Sequence, residues 1–168
     1  MVSLKWCCKQ KDGIRLIEPS DNLSLSYMKM AENALGTMNR ERKYNLTFAI
    51  SACYYSMYYS LYSVLMKLGV KCEIHSCTLE FMKELLAEFY TKEDFKVISK
   101  AFDLRNIAQY YVDKVIDTKE SELIMGKAPL FVNTSKEILS KINEKDVRKI
   151  RDSLGSFFNL WLKKFLFN

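Results

Sequence analysis

The stretch Asn45–Gly69, NLTFAISACYYSMYYSLYSVLMKLG, decides the fold. Between Phe48 and Met66 it carries no charged side chain, and it is about long enough to cross a bilayer. Its polar content argues against a membrane. Tyr54, Tyr55, Tyr58, Tyr59 and Tyr62, with Ser51, Ser56, Ser60 and Ser63, spread hydroxyls along the whole length. Hydroxyls without partners are costly in hydrocarbon, and Tyr prefers the membrane interface to its centre. A helix that is apolar all round is also what the middle of a soluble bundle needs. The expectation is therefore a buried central helix starting at Asn45 and stopped by Gly69, with no membrane partner. Ala49, Ala52, Ser56, Ser60 and Ser63 recur at three- and four-residue steps. That small-residue stripe predicts close approach of another helix, within the bundle or across a dimer.

Outward from this helix, apolar residues keep the helical period. Upstream, Leu23, Tyr27, Met30, Ala31, Ala34, Leu35 and Met38 predict a helix starting near Asp21 or Asn22. A basic loop, Asn39–Tyr44, follows. Residues 1–20 read as an N-terminal arm, broken by Gly13 and Pro19. Downstream, Leu79, Met82, Leu86 and Phe89 predict a helix over 77–90 capped by Ser76. Thr91 and Asp94 have capping-box spacing for the next, which should reach about Val112. A polar stretch, Asp117–Glu122, precedes a helix over 123–142 in which Pro129 either kinks the axis or opens its main part. A last helix over 145–167 presents Ile150, Leu154, Phe157, Phe158, Trp161, Leu162, Phe165 and Leu166, an aromatic face that must dock on the domain or on a partner. The fold class is thus all-α: an antiparallel up-and-down helical bundle of four to five core helices over 21–142, plus an additional C-terminal helix over 143–168.

Composition narrows the function classes. The chain has 168 residues, 49% hydrophobic and 27% charged, with 5 Gly and 2 Pro, which suits one globular domain of long helices. The net charge of +6 permits phosphate binding without requiring it. The basic block Lys145, Arg148, Lys149, Arg151 alternates with Glu144, Asp146 and Asp152 and reads as a solvated helix face. The start of the sequence, MVSLKWCCKQKDG, has no apolar run of signal-peptide length, so the five Cys are expected to be reduced thiols in a cytoplasmic protein. Cys7, Cys8, Cys72, His75 and Cys77 lack the spacing of a known zinc site, and no metal or other cofactor is expected. One His cannot define a triad, and five scattered Gly build no phosphate loop.

Several segments taken together resemble the HEPN domain family. Ala49–Tyr58, AISACYYSMY, is similar to the family's A-x-x-A-x-Y-Y-A-M helix. Gly69 followed by Ile74–His75–Ser76 resembles its G…T-H-S helix entry. Arg105–Tyr110, RNIAQY, resembles the R-x-x-A-D-Y segment of one branch. Ala128, Phe131 and Val132 match A-x-x-F-V, and the opening Lys5–Trp6–Cys7, Gly13–Leu16 and Glu18–Pro19 look like an archaeal subgroup. The resemblance covers about residues 1–142. It implies a helical bundle, a homodimer, and binding of nucleotide or RNA at a dimer cleft. It also implies pairing with a minimal nucleotidyltransferase as toxin and antitoxin, or metal-independent ribonuclease activity through an Arg-x4–6-His motif.

The chain departs from that motif at the position that matters. Arg105 and Asn106 are present, but Tyr110 stands where His is expected. Imidazole titrates near neutrality and can move a ribose proton, whereas a phenol of pKa about 10 is a poor base at pH 7. Arg105 can still hold a phosphate by charge-assisted hydrogen bonds. The candidate site residues are Arg105, Asn106 and Tyr110, with His75 as a further one. The chain is expected to bind more readily than it catalyses, and a ribonuclease is the alternative. On ideal helical geometry Arg105 and Tyr110 lie roughly 140° apart and should flank a groove, while Asn106 and Tyr110 share a face. The competing readings are an intrabundle ion pair of Arg105 with Asp103 or Glu84, a Tyr110 in the core or an interface, and a His75 that only caps or packs.

Overall fold

The computed structural model describes residues 2–111, 113–114 and 116–166, with side chains described up to residue 157. Seven helices and one two-residue strand pair make up the described chain: α1 (Leu4–Cys7), β1 (Arg15–Leu16), α2 (Asp21–Glu41), α3 (Leu46–Leu68), β2 (Val70–Lys71), α4 (His75–Leu85), α5 (Lys92–Tyr110), α6 (Thr118–Lys141) and α7 (Glu144–Leu166).

Helix α3 is the axis of the bundle, as its sequence predicts. The Asn45 side chain accepts from the Phe48 N–H, and Gly69 ends the helix in the left-handed region at φ 69°. Seventeen of its residues are buried, and Ser56, Ser60 and Ser63 are fully so. Their hydroxyls are satisfied locally, by the carbonyls of Cys53, Met57 and Ser60. Ser60 also accepts from Ser135 of α6, which in turn bonds the Tyr90 hydroxyl at 2.8 Å. The small-residue stripe thus lies inside one chain.

Cross-links give the directions of the helices. Asp21, at the start of α2, meets Lys67 at the end of α3. Ser51 meets Gln109 and Tyr55 meets Arg105, so α5 runs antiparallel to α3. Lys100 meets Glu120, and Lys127 meets Glu93, so α6 runs antiparallel to α5. The all-α antiparallel bundle is what the periodicity implied.

Several boundaries differ from expectation. Ser20, not Asp21 or Asn22, caps α2, which runs through Gly36 into the expected loop. Helix α4 begins at His75 and ends at Leu85, instead of spanning 77–90, and Ser76 does not cap it; Ile74 holds the cap position without a side-chain bond. Helix α6 begins at Thr118, because Asp117 caps it and Ser121, Ile124, Met125 and Ala128 continue the buried face upstream. Pro129 sits inside this helix on its exposed side, where a missing N–H is least costly. Val112 and Phe167, the expected ends of two helices, lie outside the described residues, as do the side chains of Phe158, Trp161, Leu162, Phe165 and Leu166. A further correction concerns the thiols: Cys7 and Cys77 form a disulfide, and Cys8, Cys53 and Cys72 are free. No described helix is long and apolar enough to cross a membrane.

The described part of α7 docks through Ile150 and Leu154, both buried, and through one guanidinium. Arg151 Nη1 donates to the carbonyls of Ile17 (2.7 Å), Leu68 (3.1 Å) and Gly69 (2.9 Å), satisfying the open end of α3. Replacing Arg151 by Met keeps the stem and removes the donors. This change should lower unfolding free energy in urea by about 2–3 kcal/mol with the m-value unchanged.

Candidate functional site

The site forms where the N-terminal half of α3 faces the C-terminal half of α5. An antiparallel pairing with 51 beside 109 puts Tyr54 and Tyr55 opposite Phe102 and Arg105. Arg105 Nη2 donates to the Tyr55 hydroxyl at 2.9 Å. Its Nη1 donates to Asn106 Oδ1 at 3.0 Å and to the Tyr110 hydroxyl at 3.3 Å. The guanidinium carbon also lies over both phenol rings, 5.6 Å from the centroid of Tyr55 and 5.1 Å from that of Tyr110. Every acceptor is a neutral oxygen, and Nε is buried with no partner among the described residues.

The ion pair with Asp103 or Glu84, the competing reading, does not form among the described residues; Glu84 pairs with Lys83. The same contacts correct the expected groove between Arg105 and Tyr110. Helical spacing separates their Cβ atoms, but the long Arg stem swings across to the last residue of the helix. Tyr110 is neither core nor sealed: 67% of it is exposed.

His75, from the first turn of α4, enters the same cluster. Its ring stacks on Tyr58 with centroids 4.2 Å apart and planes 6° from parallel. Nδ1 and the Tyr54 hydroxyl are 2.6 Å apart. Nε2 makes no hydrogen bond among the described residues, and the His75 side chain is half-buried. Burial first, and then the positive charge of Arg105, lower the pKa of His75 below its ordinary value. Burial pushes the Tyr54 and Tyr58 hydroxyls far up, so both stay protonated. At neutral pH the cluster is one fixed cation ringed by neutral hydrogen-bonding groups.

The structure therefore brings together all four sequence candidates: Arg105, Asn106 and Tyr110 directly, and His75 through the Tyr54–Tyr55 pair. The sequence placed Tyr54 and Tyr55 in a tyrosine cluster read as core ahead of a base-stacking surface, and not as partners of Arg105 or His75. A signal was present, since a buried Tyr needs a partner for its hydroxyl and few polar residues lay within reach. Among the described residues no three His, Cys, Asp or Glu side chains gather as a metal site.

The unfolded chain should bind a proton at His75 near pH 6.5, the folded chain only at lower pH. Folding stability is therefore expected to fall as pH drops through 6.5 toward the folded midpoint. His75 is the only histidine, so its NMR titration is unambiguous. The midpoint should lie below 6.5 and rise partway toward it in Arg105→Met, because burial remains.

Two comparisons relate the chain to known proteins. The model of the HEPN domain matches residues 25–139. A Methanocaldococcus jannaschii protein named "Putative toxin MJ0142" is 32% identical over 98 residues, which is 57% of this chain and 67% of that protein. With most of its length matched, α3, α4 and α5 included, this chain belongs to the HEPN domain family.

Proposed function

We propose that the chain is a HEPN-domain binding protein of a toxin–antitoxin-like pair. It holds a phosphate of RNA or of a nucleotide on Arg105, at a cleft completed by a second copy, and its partner is a minimal nucleotidyltransferase. The observation that carries this reading is the state of Arg105. Tyr55, Tyr110 and Asn106 orient the guanidinium without cancelling its charge, and no carboxylate pairs with it among the described residues. An anionic oxygen is the acceptor that such a group favours most. The name of the M. jannaschii relative supports a toxin-like setting.

One observation favours a second reading, a metal-independent ribonuclease. His75 supplies an imidazole beside Arg105 from α4, where Tyr110 leaves the usual His position without one. Lowered pKa keeps it in the base form at neutral pH. With Nδ1–H donating to Tyr54, Nε2 would take the ribose 2′-OH proton as that oxygen attacks the adjacent phosphorus. Arg105 would offset the charge on the phosphoryl oxygens, and the 5′-oxygen would leave with a proton from Tyr110 or water.

Fluorescence anisotropy with a labelled single-stranded RNA, in EDTA, tests both. Arg105→Met should weaken binding by roughly 10- to 100-fold and reduce the salt slope by about one. Equal binding by the mutant and the wild type would overturn the assignment. Wild-type cleavage that disappears in both Arg105→Met and His75→Gln would select the ribonuclease. Binding without cleavage would select the binding protein.

A further inference from the structure

The first turn of α4 has no side-chain cap, yet it carries His75 in a tightly packed position. Besides the Thr78 hydroxyl, which donates to the Ile74 carbonyl, and Tyr54, which bonds His75, this turn is held by the N-terminal arm, which lies outside the matched residues 25–139. Cys7, at the end of α1, is joined to Cys77, two residues after His75 and 70 positions away in sequence. Both are fully buried. The arm then lies along the entrance to α4. Arg15–Leu16 pairs with Val70–Lys71, the Glu73 N–H donates to the Asp12 carbonyl at 2.9 Å, and Arg15 meets the Glu73 carboxylate at 3.1 Å.

The arm itself turns about Cys7. The Cys7 carbonyl accepts from the Ile14 N–H at 3.1 Å, and a Cβ at Gly13 would collide with it. Leu4 and Ile14 also bury against the core, and the Ile17 N–H donates to the Gly69 carbonyl, but Cys7–Cys77 is the one covalent tie of this strap among the described residues. The neighbouring thiols offer no ready route for internal exchange. Burial, with Cys72 nearby, raises Cys8 to about 11, and burial also raises Cys72, which leaves little thiolate at neutral pH.

We propose that Cys7–Cys77 is a redox-sensitive clasp: closed, it fixes His75 against Tyr54 and Tyr58; opened by a small dithiol reductant, it frees the arm and loosens His75. In the opening step the dithiol supplies two electrons and two protons. The Cys7–Cys77 S–S bond breaks, two S–H bonds form, and the reductant closes its own disulfide. Because both sulfurs are buried, exchange follows local lifting of the arm.

The test uses the whole chain and does not depend on RNA. Alkylation in denaturant should count three thiols before reduction and five after. In the folded protein, dithiothreitol should shift the His75 Hε1 NMR signal away from its position over the Tyr58 ring, and lower Tm by about 5–15 °C. Cys77→Ser should show both changes without reductant and then fail to respond to it, while Cys8→Ser behaves as wild type. Should Cys77→Ser not fold, the titration of the wild type with dithiothreitol decides alone. Five thiols before reduction, or an unmoved His75 signal after complete reduction, would overturn the clasp and leave the Arg105 reading standing.

Discussion

A helix enclosed on every side has to satisfy all its polar groups from within, and α3 meets that constraint throughout. Its backbone bonds are internal, and Asn45 and Gly69 close its two ends. Its serines bond carbonyls one turn back, so they add little bulk and no unpaired donors. That economy lets α2, α5 and α6 pack close around it. It also dictates where the candidate site sits. Tyr54, Tyr55 and Tyr58 cannot bond within their own helix. Their hydroxyls reach outward, to His75, Arg105 and Thr78, which are the groups that border the cluster.

The electrostatics of the cluster follow from the same residues. A carboxylate beside Arg105 would orient it equally well but would neutralise it, since paired opposite charges leave little net field. Phenol hydroxyls and an amide oxygen orient it and leave the charge available. Burial keeps Tyr54 and Tyr58 protonated and favours the neutral imidazole of His75, which leaves Arg105 as the cation of the cluster near pH 7. Arg105 is itself partly exposed, and Tyr110, two-thirds exposed, lies against its guanidinium.

Much of the architecture was legible because single residues encode it. Thr91 and Asp94 form the capping box their spacing announces. Gly69 adopts the positive φ that a helix stop requires. Features that depend on tertiary context were not legible. The start of α6 was hidden because polar residues from Thr118 to Glu122 read as loop, although every fourth or third position from Ser121 onward is buried. The start of α4 was hidden because an arm and a disulfide hold it in place of a cap. At the site, sequence identified Arg105, Asn106, Tyr110 and His75, but not their mutual contact. Helical angles describe Cβ positions, and a side chain as long as Arg escapes them. Tyr54 and Tyr55 were missed as partners because a buried Tyr serves as core and as donor at once.

The central claim is that Arg105 is an oriented, uncancelled cation awaiting an anionic oxygen. Nitrogen-15 NMR of the arginine side chains during titration with a short uridine oligonucleotide examines it most directly. The account predicts a selective shift of the Arg105 side-chain signals as the guanidinium takes up a phosphate, with those of Arg151 and Arg42 unmoved. An Arg105 signal that stays in place while other basic side chains respond would contradict it.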